Sequence, residues 1–257
     1  MAWTVLLLAT LLVASTHGQY QQYYNATNRI AQYVYTFAGN STGTGGTTAG
    51  DDAVLASRAL FTYVVSVATD SSNNVYVADQ GSRRIRVVNR RTQVITTFAG
   101  GGRNDGFNNT GGAATAAQLD AFGYGITAMV FDSSQNMYLV DANRVRFVRR
   151  TTMTISTVAG AHNLCCLSGG TGNNGPATAA TFIQLTGLAL DSSNNVYTAD
   201  VYDNTVRMVQ RPSGTIVAYA GTTQTLGTTG DGGKATAALL QYPQGIAVDR
   251  WALCSDV

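Results

Sequence analysis

Apolar residues in this chain fall in short runs, and the runs return. Residues 70–100 read DSSNNVYVADQGSRRIRVVNRRTQVITTFAG, residues 132–160 DSSQNMYLVDANRVRFVRRTTMTISTVAG, and residues 191–221 DSSNNVYTADVYDNTVRMVQRPSGTIVAYAG. A fourth copy starts with Gly245, Ile246, Ala247, Val248 and Asp249. The opening aspartates stand at 70, 132, 191 and 249, spacings of 62, 59 and 58 residues. The closing glycines are Gly39, Gly100, Gly160 and Gly221, so a half-copy precedes the first full one. Self-similarity at a fixed period means one supersecondary unit repeated as an array.

Within the first copy the pattern predicts strands over 65–69, 75–78, 84–89 and 94–98. The first two are almost wholly small, β-branched or aromatic, which predicts cover on both faces. The third alternates: Arg84 and Arg86 against Ile85 and Val87, then Arg144 and Arg146 against Val145 and Phe147. That alternation predicts a strand further out, with one side reaching solvent. Asp70 opens a turn in which its carboxylate accepts backbone N–H groups and Asn supplies left-handed dihedrals. The same turn-forming role is expected of Asp132 and Asp191, and of Asp79, Asp141 and Asp200 after the second strand. Between copies runs a Gly-rich loop ending in an alanine cluster (114–117, 177–180, 235–238), small enough to seat one helical turn closely. Four antiparallel strands per unit, repeated, predict an all-β fold of propeller blades.

The run G-x-A-x-D-x-x-x-N-V-Y-x-A-D, then R-I/V-R-x-V, with TxAG and G-x-ATAA between units, resembles the NHL repeat over residues 33–249. The GDGG-type interblade loops look most like secreted or bacterial-type members of that family. The resemblance implies a propeller, commonly six-bladed, closed by N- and C-terminal segments sharing a blade, with residues 33–39 as an outer strand. Three full blades and two partial ones are present, an open arc of such a parent. Six copies of this period would need about 360 residues against 257 here. After Asp249 the repeat gives way to a non-repeat tail, 250–257, where the family pattern asks for turn residues and N-V-Y. The expectation is a truncated copy whose missing blades are partners it lacks.

Composition agrees with strands and turns. All fourteen acids are Asp, Lys234 is the only lysine, and the chain is rich in Thr, Val, Tyr, Asn and Gly. A formal charge of +2 gives no case for nucleic acid. Residues 1–18 read as a secretory signal peptide, with an apolar run from Val5 to Val13 too short to span a bilayer. A Tyr/Gln-rich lead-in, 19–32, follows, and no later stretch is long enough for a membrane span. The chain is therefore expected to be secreted, with glycan acceptors at Asn25, Asn40 and Asn108. Cys165, Cys166 and Cys254 are an odd set whose pairing stays open.

No catalytic constellation emerges. Residues 39–43 match G-x-S-x-G and 170–175 match G-x-G-x-x-G, but both lie in interblade loops without the strand-to-helix turn those motifs need. Residues 232–235 only brush the phosphate-loop pattern. No metal or cofactor is expected. The reading is a non-catalytic module binding a protein or glycan. Arg84, Arg86, Arg144, Arg146 and Arg207 stand at repeating positions and are candidates for a stripe gripping anionic glycans. The alternative is a piece of a propeller enzyme, of metal-dependent lyase or lactone hydrolase type. Such enzymes hold their metal with His, Glu, Asp and Asn, whereas this chain has His162 alone beyond the leader and no Glu. Their sites carry over to no residue here.

Overall fold

The computed structural model describes residues 36–39, 52–102, 112–119, 125–161 and 169–249. The expected leader and lead-in, all three glycan acceptors, His162, the three cysteines and the tail lie outside the described residues. The chain divides into two compact units, one ending at Phe98 and one beginning at Ala99.

The first sheet holds β1 (Val54–Leu55), β2 (Val64–Thr69), β3 (Val75–Asp79), β4 (Arg84–Val88) and β5 (Val94–Gly100), in the order β1-β5-β4-β3-β2. The second holds β6 (Gly112–Ala113), β7 (Met129–Phe131), β8 (Met137–Asp141), β9 (Arg144–Arg149) and β10 (Thr154–Ala159), ordered β6-β10-β9-β8-β7. The third is the four-stranded meander β11 (Leu185–Leu190), β12 (Val196–Asp200), β13 (Thr205–Val209) and β14 (Ile216–Ala220). Paired strands such as β1 and β5, β2 and β3, β8 and β9, β9 and β10, and β11 and β12 run antiparallel.

Two sheets thus carry a fifth strand that the four-run pattern did not predict. It is the pair of residues just ahead of the alanine turn, lying along the outermost strand of its own sheet: Val54 opposite Ile95, Ala113 opposite Thr154. In the third sheet Pro176 occupies this place and makes an isolated bridge to Thr215, while the flanking N–H groups of Ile216 and Ala177 still donate to the Gly175 and Gly214 carbonyls. Each alanine cluster is a single 3-10 turn, at Ala114–Ala116, Ala177–Ala179 and Ala235–Ala237; Ala56–Arg58 is a further copy with different letters. The TxAG glycine explains why the two motifs travel together. Its N–H donates to the first alanine carbonyl of the next turn: Gly39 to Ala56 (2.8 Å), Gly160 to Ala177 (3.0 Å) and Gly221 to Ala235 (2.9 Å).

At the DSSNN turns, Asp70 accepts N–H bonds from Ser72 and Asn74, both 2.9 Å, and a side-chain bond from Asn74 at 2.8 Å. Asp191 does the same with Ser193 and Asn195, and Asp132 accepts from the N–H and side chain of Asn136. The fourth residue of each turn, Asn73, Gln135 or Asn194, has φ near +60° (60, 63 and 62).

In the first unit Ala56, Ala59, Val88 and Ile95 form the core, with Phe37 and Phe61 packed on it. In the second unit the second and third sheets share one core in which Tyr138, Val140 and Val145 meet Leu185, Val196 and Ile216, and β11 lies against β7 and β8. The link between the sheets contributes Ala177, Ala180 and Phe182 to that core. Burying a side chain the size of Phe182 is worth about 1.5–3 kcal/mol. The fourth inner segment rests on the face of the third sheet. A methyl group on Gly187 would meet the Gln244 carbonyl at 2.6 Å, and the Thr186 hydroxyl donates to the Pro243 carbonyl at 3.3 Å.

Candidate functional site

The end of each sheet where the second strand turns into the third gathers most of the ionisable side chains singled out from the sequence. There the chain entering the innermost strand is zipped to the hairpin. The N–H of Gln80 donates to the Tyr63 carbonyl, that of Ala142 to Gly125, and that of Val201 to Gln184, at 2.8, 3.0 and 2.9 Å. The strand-ending aspartate supplies the other half of the zip. Asp79 Oδ1 accepts the N–H groups of Thr62 (3.1 Å) and Tyr63 (3.0 Å). Asp200 accepts those of Ile183 (2.8 Å) and Gln184 (2.9 Å).

This corrects the expectation that Asp79, Asp141 and Asp200 act like the DSSNN aspartates. All three are fully buried. Asp79 and Asp200 reach 16 and 17 residues back along the chain. Asp141 holds two arginines: Arg144 Nη2 at 2.9 Å and Arg146 Nη1 at 3.1 Å, both on Oδ2.

The arginine stripe needs a larger correction. Arg86, Arg144, Arg146 and Arg207 are 3, 3, 1 and 2 % exposed, and only Arg84 is half-buried. Alternation on the third strand therefore separates two buried faces, one apolar and one of guanidiniums held by internal acceptors. Arg86 pairs with Asp52 at 2.8 Å, and the Thr97 hydroxyl holds the other oxygen of that carboxylate. Arg207 donates to Asn173 Oδ1 (3.0 Å) and to the carbonyls of Thr181 (2.9 Å) and Thr171 (2.8 Å), lying over the Phe182 ring at 4.8 Å. These guanidiniums anchor the interblade loops and offer no stripe to a glycan in solvent.

Burial shapes the protonation equilibria. Asp200 is pushed up to about 6, chiefly by burial and further by the Asp203 carboxylate, against the pull of the Gln184 and Ile183 N–H groups. Arg146 is drawn down by burial, with Asp141 opposing. Arg207 is lowered for the same reason, and Asp203 and Asp200 resist it. A carboxylate titrating near neutrality is a feature of acid–base catalysts, but Asp200 is fully buried and its oxygens are occupied by backbone donors. Among the described residues no three His, Cys, Asp or Glu side chains come together as a metal cage. No helix among them is long and apolar enough to cross a membrane.

The large hydrophobic side chains that these ends present to solvent are tyrosines. Tyr63 is 62 %, Tyr202 55 % and Tyr242 46 % exposed. Tyr63 and Tyr242 hold the same place in their copies, seven residues before Asp70 and Asp249. Tyr202 projects from the β12–β13 hairpin, and its ring meets Tyr242 edge-on, centroids 6.3 Å apart at 85°. The Tyr242 N–H donates to Asn204 Oδ1 at 3.1 Å, and Tyr242 adopts φ +50°. Sequence reading passed over these residues. The available signals were the tyrosine repeated at one register and the longer VYDN connection where the second copy has AN. A separate cleft of about 280 Å³ is lined by Tyr197, Tyr219 and residues 246–249.

Neither a family model nor a curated protein sequence matches the chain. Solved structures do. An auxiliary nutrient binding protein from Bacteroides ovatus is 16 % identical, over 74 % of this chain and 44 % of its own, with a TM-score of 0.52. A protein so described from Bacteroides thetaiotaomicron is 16 % identical over 70 % and 41 %, TM-score 0.48. Virginiamycin B lyase from Staphylococcus aureus is 12 % identical over 61 % and 40 %, TM-score 0.38. The chain spans less than half the length of each of these three structures. The matched structures are β-propeller proteins, and the three antiparallel sheets described above give this chain an all-β fold of propeller type.

Proposed function

We propose that this chain is an exported NHL-type propeller module that binds a glycan or a protein and performs no chemistry of its own. The observation that carries the reading is the division of labour at the hairpin ends. The strand-ending aspartates and Arg86, Arg144, Arg146 and Arg207 are turned inward and spent on backbone, carboxylate and loop anchors, while the exposed large hydrophobic side chains there are tyrosines. Rigid aromatic side chains on anchored loops bind at low entropic cost. The TxAG glycine that clips the turns at Ala56, Ala177 and Ala235 accounts physically for the NHL-like letters between copies.

The test is to probe the purified chain, expressed through a secretory pathway, against glycan and extracellular-protein arrays, with parallel lactone-hydrolysis and lyase assays in the presence of added metals. Saturable binding without turnover is the expected result. Metal-dependent turnover abolished by a chelator would replace this reading with the enzymatic one.

A further inference from the structure

Resting on the binding reading, we infer that Tyr202 and Tyr242 form a subsite for a neutral, equatorially linked hexopyranose chain. The two rings stand at 85° with centroids 6.3 Å apart, a corner in place of a floor. A pyranose laid with its C–H face on one ring has its edge against the other. Both rings are about half exposed, so a ligand gains apolar contact without displacing protein.

The corner is built. Asp203 sits between the two anchors of its hairpin: its N–H approaches Asp200 Oδ1 at 3.4 Å, and its Oδ1 accepts the Gly170 N–H at 3.1 Å. Its carbonyl accepts the N–H of Gln224, which lays the 222–225 loop against the same hairpin. Tyr242 is held by Asn204 Oδ1 in a left-handed conformation, one that a bulky residue adopts only when its surroundings impose it. The backbone that carries the two rings is thus anchored before any ligand arrives, which lowers the ordering cost of binding.

The flanking chemistry selects the ligand. Residues beside the rings in sequence are Val201, Gln241, Pro243 and Gln244, and the adjoining loop reads Thr222, Thr223, Gln224, Thr225. Amides and hydroxyls both donate and accept, as sugar hydroxyls require. The acid in the hairpin, Asp203, is 1 % exposed and faces inward, and no cation occupies either flanking segment, so an acidic glycan finds no partner there. The second copy's shorter hairpin holds Ala142 and Asn143, both buried, and lacks such a corner.

Titration calorimetry of the full chain with cellohexaose and with laminarihexaose tests this, alongside Tyr202→Ala, Tyr242→Ala and, as an outside control, Leu55→Ala, an exposed apolar residue of β1. Circular dichroism would verify that each variant keeps its fold. The expected result is binding of at least one oligosaccharide, weakened about tenfold by either corner substitution and untouched by Leu55→Ala. Undiminished sugar binding by Tyr202→Ala and Tyr242→Ala would overturn the subsite and leave the binding reading standing. No uptake of either oligosaccharide at about 1 mM, with a protein partner found on the arrays, would also overturn the inference alone. Silence on every array would overturn both.

Discussion

The hairpin ends of the second and third sheets are built on one plan with opposite charge. Between β8 and β9 one buried carboxylate, Asp141, faces two guanidiniums, Arg144 and Arg146. Between β12 and β13 two buried carboxylates, Asp200 and Asp203, share the field of a single guanidinium, Arg207. Thr205 stands where the second copy has Arg144, and its hydroxyl donates to Asp203 Oδ2 at 3.0 Å. The backbone zip is common to both. Because backbone N–H and carbonyl groups supply the zip, the side-chain charges around it are free to change sign between copies.

The largest consequence concerns Arg207. Replacing it with Met leaves the buried Thr181 carbonyl and the part-buried Thr171 carbonyl and Asn173 Oδ1 unfilled and removes the guanidinium that, among the described residues, balances Asp200 and Asp203, a loss of about 3–5 kcal/mol. Arg144→Met should cost about 1 kcal/mol or less, since Arg146 remains on the same carboxylate oxygen. Urea unfolding of the two variants reads the difference, and equal losses would mean that charge balance does not distinguish the two ends.

Titration is the next lever. Asp200 binds its proton near pH 6 in the folded chain and near 3.8 once unfolded, so the folded state takes up the proton first. Stability should therefore rise as the pH falls from about 7 to about 4, by up to about 3 kcal/mol. Asp200→Asn should flatten that slope. At Asp70 burial pushes upward, but the Asn74, Tyr76 and Ser72 donors outweigh it and hold the carboxyl below its ordinary value. Its contribution is lost only at more acidic pH, below the window in which Asp200 acts. Unfolding midpoints at several pH values, with and without the substitution, separate the two groups; a slope that survives in Asp200→Asn would assign it elsewhere.

The smallest effects test what the two ends share. Gly160 (φ +98°) presses on Asn143 and Arg144, and Gly221 (φ +86°) on Asn204 and Thr205, so a methyl group at either collides with backbone. Gly160→Ala and Gly221→Ala should each cost about 2 kcal/mol. Gly214→Ala, left-handed but with nothing within reach of the added carbon, should cost about 1 kcal/mol. Thermal unfolding would show the order, and similar losses at all three would deny the close approach.

Period, strand positions and the all-β class were legible because strand propensity and turn chemistry are local. VYVAD is strand-forming wherever it stands, and DSSNN turns on its own hydrogen bonds. The depth of the arginines was not legible. A strand alternating Arg with Ile reads as half-solvated unless one knows that loops from elsewhere will bring Asp52, Asn173 and the Thr171 and Thr181 carbonyls to meet it. The tyrosine corner was hidden for the same reason: Tyr202 and Tyr242 lie in different copies, and only the fold puts them together.

The alanine turns show where that boundary falls. Ala177–Ala179 and Ala235–Ala237 share the letters ATA and the same 3-10 turn. Ala177 is 1 % exposed in the core between two sheets, whereas the turn at 235–237 is exposed throughout. The sequence by itself determined the turn, since three residues and one backbone hydrogen bond suffice to make it. Whether that turn is core or surface was decided only by the tertiary structure, because burial depends on a neighbouring sheet that no local run of residues contains.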